Sequence, residues 1–123
     1  MKRKIIAVYS ILLAVSLVAL WLMILSGEGV PEGRTEMAFH LSSEFFMAFL
    51  SFLSGILLLK HRPAGTGLNI AAHSMVIYSV LNAAGYYGER GQKGMMFMFV
   101  ALLAVSLAIM GFQLLRIRAG VKA

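Results

Sequence analysis

Apolar and polar positions fall into four long apolar blocks separated by short polar segments: Ile5 to Ser26, Met37 to Leu59, Leu68 to Tyr87 and Met95 to Leu115. Each is close to the roughly 20 residues a helix needs to cross about 30 Å of hydrocarbon. Connections this short make sequential helices antiparallel neighbours. The pattern predicts an all-α integral membrane four-helix bundle, up-down-up-down with short loops. It is a single transmembrane domain over 1–123, with helices at about 5–26, 37–59, 68–87 and 95–115 and no room for a soluble domain.

The separators carry the expected breakers. GEGVPEGRTE has Gly and Pro to end the first helix and Thr35 as a candidate N-cap for the second. In KHRPAGTG, Pro63 is expected to stop one helix, and Gly65 and Gly67 to turn the chain. Gly85, Gly88, Gly91 and Gly94 recur through GYYGERGQKG, which predicts a flexible outer hairpin with Tyr86 and Tyr87 at the lipid interface.

Projected at 100° per residue, the second block separates into two faces. His40, Glu44, Ala48, Ser51, Ser54 and Gly55 share one; Phe45, Phe49 and Phe52 lie opposite. In lipid the polar face turns toward protein or water and the phenylalanines toward acyl chains or a neighbouring helix. The third block has a stripe of Ser74, Tyr78, Asn82 and Tyr86, with Gly85 and Glu89 on the same side. Counted from the outer ends, Glu44 and Asn82 come to similar depth, as do His40 and Tyr86. An antiparallel pair would join the two stripes into one outward-opening polar seam. The fourth block contributes a small-residue face, Ala101, Ala104, Ala108 and Gly111, suited to close helix approach.

Composition strengthens the membrane reading. With 60% hydrophobic residues, 13% charged and a mean hydropathy of +0.86, a chain of 123 residues has more apolar surface than a soluble domain of its size buries. No cysteine is present, which excludes disulfides, iron–sulfur clusters and thiol catalysis. The net charge of +6 lies in the tails and turns. Lys2, Arg3, Lys4, Lys60, Arg62, Arg116, Arg118 and Lys122 fall on one side, against Arg34, Arg90 and Lys93 on the other. The positive-inside rule then places both termini in the cytoplasm of a cell-membrane, multi-pass protein. This is an address and an anionic-lipid contact, not a nucleic-acid footprint. MKRK before an apolar run also opens signal peptides, but this run exceeds the roughly 7–15 residues of a signal core, so a retained helix is expected.

Glu44 is the sharpest chemical feature. An ionised carboxylate below the interface costs several kcal/mol, so it calls for a proton, a cation or a wet cavity. His40, one turn away, is placed to share a proton with it. The pair is the candidate proton, cation or ligand site, with Tyr78 and Asn82 as its wall and Glu36, Tyr86 and Glu89 at its outer mouth. The bland alternative is a dry contact between helices or subunits.

His40 and Glu44 are also weak metal candidates, Glu36 extending the ladder. A helical di-iron site instead repeats Glu-x-x-His, a spacing this chain lacks. His73, with Ser51 and Ser54, marks a possible second polar site in the inner half, where one interhelical hydrogen bond is the simple role. His40 and His73 lie at different depths, which disfavours a shared haem. No cofactor is strongly implied, and nucleophile, P-loop and dinucleotide motifs are missing, so an enzyme is not expected.

In size and helix count the chain resembles the small multidrug-resistance transporters, which also build a four-helix protomer around one membrane glutamate. That family places its glutamate in the first helix, and here the first helix has no acidic residue. The likeness is one of format.

Three functions follow as expectations: proton-coupled transport or ion passage; an accessory subunit of a larger membrane complex; or a membrane-embedded metal or cofactor binder. The expected partners are the lipid bilayer and either further copies of the chain or other membrane subunits.

Overall fold

The computed structural model describes residues 2–27 and 33–120. Its four α-helices are α1, Lys2–Ser26; α2, Arg34–Leu59; α3, Ala64–Glu89; and α4, Lys93–Arg118, with no strand among the described residues. The chain is all-α, as the block pattern predicts. The helices run beyond the apolar blocks because charged residues such as Lys2, Arg3 and Lys4 have good helix propensity.

By length and composition α1, α2 and α4 are each able to cross a membrane. The third helix has the length, 26 residues, but Asn69, His73, Ser74, Tyr78 and Asn82 dilute its apolar character, and it falls short of the other three.

Several local expectations are corrected. Thr35 is not the N-cap of α2: Gly33 holds that position, with extended backbone and no side-chain cap bond. The breakers Gly29 and Pro31 lie outside the described residues. Gly65 and Gly67 do not turn the chain but sit in the first turns of α3. Gly65 serves close approach: a Cβ there would stand 3.0 Å from the Leu58 nitrogen and 3.1 Å from the Leu57 carbonyl carbon. Likewise Gly85 and Gly88 lie within α3 and Gly94 within α4. The expected hairpin shrinks to a tight turn centred on Gly91, whose φ is +73°.

Three helices end alike. After α3, Gln92 N–H donates to the Tyr87 carbonyl (2.9 Å) and Gly91 N–H to the Gly88 carbonyl (3.2 Å), a left-handed residue closing the last turn. After α4, Gly120 takes the left-handed conformation at φ +75°. After α2, Arg62 N–H reaches the Leu57 carbonyl (2.9 Å) and His61 N–H the Leu58 carbonyl (3.1 Å). There the left-handed residue is His61, at φ +56°, where an L side chain costs about 1–2 kcal/mol that glycine avoids.

The chain divides into two compact units, Met1–Asn69 and Ile70–Ala123. In the first, α1 and α2 pack antiparallel. Buried residues on α1 are Ile6, Ala7, Ser10, Leu13, Ala14, Leu17 and Trp21, and on α2 Met47, Ala48, Ser51, Ser54, Gly55 and Leu58. Both sets step by three and four, the spacing of one helix face. The polar and small face of α2 is thus its buried face. Phe39, Phe46 and Phe49 are more than half exposed, and Phe45 and Phe52 also lie open.

Three like charges at the N-terminus of α1 oppose its dipole. Arg3 finds a better field at the C-terminus of its antiparallel neighbour: its Nε donates to the Leu58 carbonyl (2.8 Å) and its Nη2 to the Arg62 carbonyl (3.4 Å).

In the second unit the remaining length of α3 pairs with α4. Tyr87 stacks on Phe99 at 5.7 Å between ring centroids and meets Tyr86 edge-on at 5.1 Å. The Arg90 guanidinium lies 3.6 Å from the Tyr86 ring centroid and donates to the Tyr86 carbonyl at 3.1 Å. The buried residues of α4 are Phe99, Ser106 and Gln113, one in seven.

Candidate functional site

His40 and Glu44 are brought together on α2 by one helical turn, with His40 Nε2 3.5 Å from Glu44 Oε1. The histidine side chain is 39% exposed and the glutamate only 11%. The carboxylate is therefore the more shielded of the two. Trp21 of α1 completes the arrangement. It is buried and meets the His40 ring edge-on, with centroids 4.9 Å apart. The indole thus gives the imidazole an aromatic neighbour on the α1 side.

Glu36 is exposed in the first turn of α2. Among the described residues no group of three or more His, Cys, Asp or Glu gathers to hold a metal ion. Tyr78, Asn82 and Glu89 of the second unit are exposed, and Tyr86 is half-buried in its contact with Arg90. The Asn82 amide donates to the Tyr78 carbonyl one turn back (3.1 Å). Ser74 likewise donates to the Ile70 carbonyl (2.8 Å).

Ser51 and Ser54 are fully buried and belong to a cluster whose centre sequence reasoning missed. Asn69, the sixth residue of α3 and fully buried, donates through Nδ2 to Ser10 Oγ of α1 (2.8 Å) and Ser54 Oγ of α2 (2.9 Å). One amide thereby ties three helices together. Ser54 Oγ in turn donates to the Ser51 carbonyl (3.0 Å). Among the described residues, the buried Asn69 Oδ1 and Ser51 Oγ have no hydrogen-bond partner.

His73, also fully buried, places Nδ1 3.3 Å from Ser106 Oγ of α4. It thus makes an interhelical contact within the second unit, while Ser51 and Ser54 serve the Asn69 cluster in the first.

Trp21 was within reach of sequence reasoning. Counting inward from the first connection puts it five residues from the end of α1 and His40 six residues into α2, the same depth in an antiparallel pair. Asn69 was hidden at the edge of an apolar block. Its signal is an i, i+4 and i, i+7 relation to His73 and Val76, the inward face of α3.

No curated protein and no solved structure matches the chain. One family model does, over residues 1–122, and on that match the chain belongs to the family described as domain of unknown function DUF8058.

Proposed function

We propose that this protein is a four-span integral protein of the cell membrane that moves a proton or a small cation, with Glu44 as the exchanging group and His40 as its proton-sharing partner. The observation that carries the reading is the 3.5 Å contact between them, on a helix apolar enough to cross a membrane, with the carboxylate 11% exposed and Trp21 packed on the imidazole. A carboxylate so placed can be neutralised by a proton or paired by a cation, and exchange between the two is the elementary step of coupled movement through low dielectric.

In this reading α3 is the fourth span. An even number of crossings puts both termini on the side that holds eight of the eleven basic residues. Reporters fused to either terminus are expected to read cytoplasmic; opposite readings would remove α3 from the membrane.

The deciding experiment is flux in liposomes containing the purified chain. Wild-type protein is expected to dissipate an imposed proton or cation gradient, and Glu44→Gln to fall to the leak of protein-free vesicles, with both proteins equally folded. Flux unchanged by the substitution would sink the assignment.

A second reading, an accessory subunit or homo-oligomer, is supported by α4. Its Ala101, Ala104 and Ala108 are exposed, and small residues in lipid commonly mark where another helix approaches. The particle mass in mild detergent tests it: a monomer that conducts would reject the reading.

A further inference from the structure

We infer that the end of the first unit carrying Lys60, His61 and Arg62 binds the phosphate headgroup of an anionic phospholipid. This inference rests on the membrane reading above but not on transport.

The argument begins with the left-handed residue that ends α2. In α3 and α4 the same conformation is taken by glycine, Gly91 and Gly120, at φ +73° and +75°. The α2 ending makes the same backbone bonds as the α3 ending but sets the imidazole of His61 there, at φ +56°. The fold alone asks for glycine at this position. A strained side chain between two cations, in Lys60-His61-Arg62, points to a use for that side chain.

Three further observations give the use its chemistry. Lys60, His61 and Arg62 are all exposed, as are Lys2 and Lys4 at the start of the neighbouring helix. Arg3 is committed to the Leu58 and Arg62 carbonyls, so it ties the connection to α1, while the Lys60 and Arg62 side chains stand exposed beside it. The described acidic residues of this unit, Glu36 and Glu44, lie toward the other end of α2, Glu44 about 24 Å away along the helix from Lys60.

Guanidinium, ammonium and imidazole donors at three successive exposed positions, with the described carboxylates of this unit toward the other end of α2, fit a phosphate. Next to these cations in the chain, Ile5 follows Lys4 and is 63% exposed, and Leu59 precedes Lys60 and is 41% exposed. A ligand with an anionic head and hydrocarbon below satisfies both layers, which favours a phospholipid over free phosphate or a nucleic-acid backbone.

The test uses the full chain in mixed micelles containing equal amounts of phosphatidylglycerol and phosphatidylcholine, with retained lipid counted by native mass spectrometry. Wild type is expected to retain phosphatidylglycerol several-fold over phosphatidylcholine. His61→Gly is the discriminating variant: it relieves the backbone while removing the donor. It is expected to unfold at a higher temperature in phosphatidylcholine alone, yet to retain severalfold less phosphatidylglycerol. The pair Lys60→Gln with Arg62→Gln is expected to abolish the preference. Equal retention of the two lipids by wild type, or His61→Gly retaining phosphatidylglycerol as wild type does, would overturn the inference. So would displacement of the lipid by millimolar inorganic phosphate or by a short oligonucleotide, which would assign the site to a soluble anion. None of these readouts depends on Glu44, so a failed flux assay leaves this result standing.

Discussion

Replacing Gly55 by alanine is expected to loosen the α1–α2 pair by about 1–3 kcal/mol, and by leucine to separate it, because the helices touch backbone to backbone at that point. A Cβ on Gly55 would lie 2.9 Å from the Ala7 carbonyl oxygen and 2.6 Å from Ile11 Cγ1. The isoleucine can rotate away, but the carbonyl belongs to α1 and moves only if the helix moves. Helix propensity pulls the other way, since alanine is favoured over glycine by about 1 kcal/mol. The contact outweighs it only where the neighbour is backbone. Gly88→Ala provides the contrast, since its close neighbour is the flexible Met96 Sδ, at 2.8 Å, and Gly85→Ala meets nothing within 4 Å. Both are expected to be neutral or mildly stabilising. Unfolding of the three variants in a graded denaturing detergent checks the ordering; a Gly55→Ala protein as stable as wild type would refute the close contact.

The second large effect is expected at Asn69. Asn69→Leu removes the two hydrogen bonds to Ser10 and Ser54. Measured bonds of this kind in bilayers average about 0.6 kcal/mol and reach about 1.7, so the loss should total about 1–3 kcal/mol. Two features favour the upper part of that range: the residue is fully buried, and one side chain serves three helices. Ser10→Ala alone is expected to cost less, and the double variant Ser10→Ala with Asn69→Leu less than the sum, since both remove one shared bond. Strict additivity in a double-mutant cycle would show that the serine and the asparagine do not interact.

The helices were legible in the sequence because hydropathy and period both report on one physical fact, the exclusion of polar groups from hydrocarbon. The division of α2 was equally plain: Ala48, Ser51, Ser54 and Gly55 are buried, and the phenylalanines face outward. Glycine was misread for a physical reason. Gly65, Gly85, Gly88 and Gly94 lie inside helices, where glycine costs only about 1 kcal/mol against alanine, an amount the rest of a long helix offsets. Asn69 escaped because its function depends on Ser10, far away in sequence, and no local pattern encodes that meeting. Trp21 escaped for the opposite reason. A buried tryptophan in an apolar helix looks like ordinary filling until the antiparallel register sets it beside His40.

That last contact has a practical consequence. Trp21 is the chain's one tryptophan, and its ring lies edge-on to the histidine of the candidate site at 4.9 Å. Indole emission responds to a charge or a proton donor at such range. The protein therefore carries an optical label of its own, placed one side chain away from Glu44, through which occupancy of the site can be followed in light without any chemical modification of the chain.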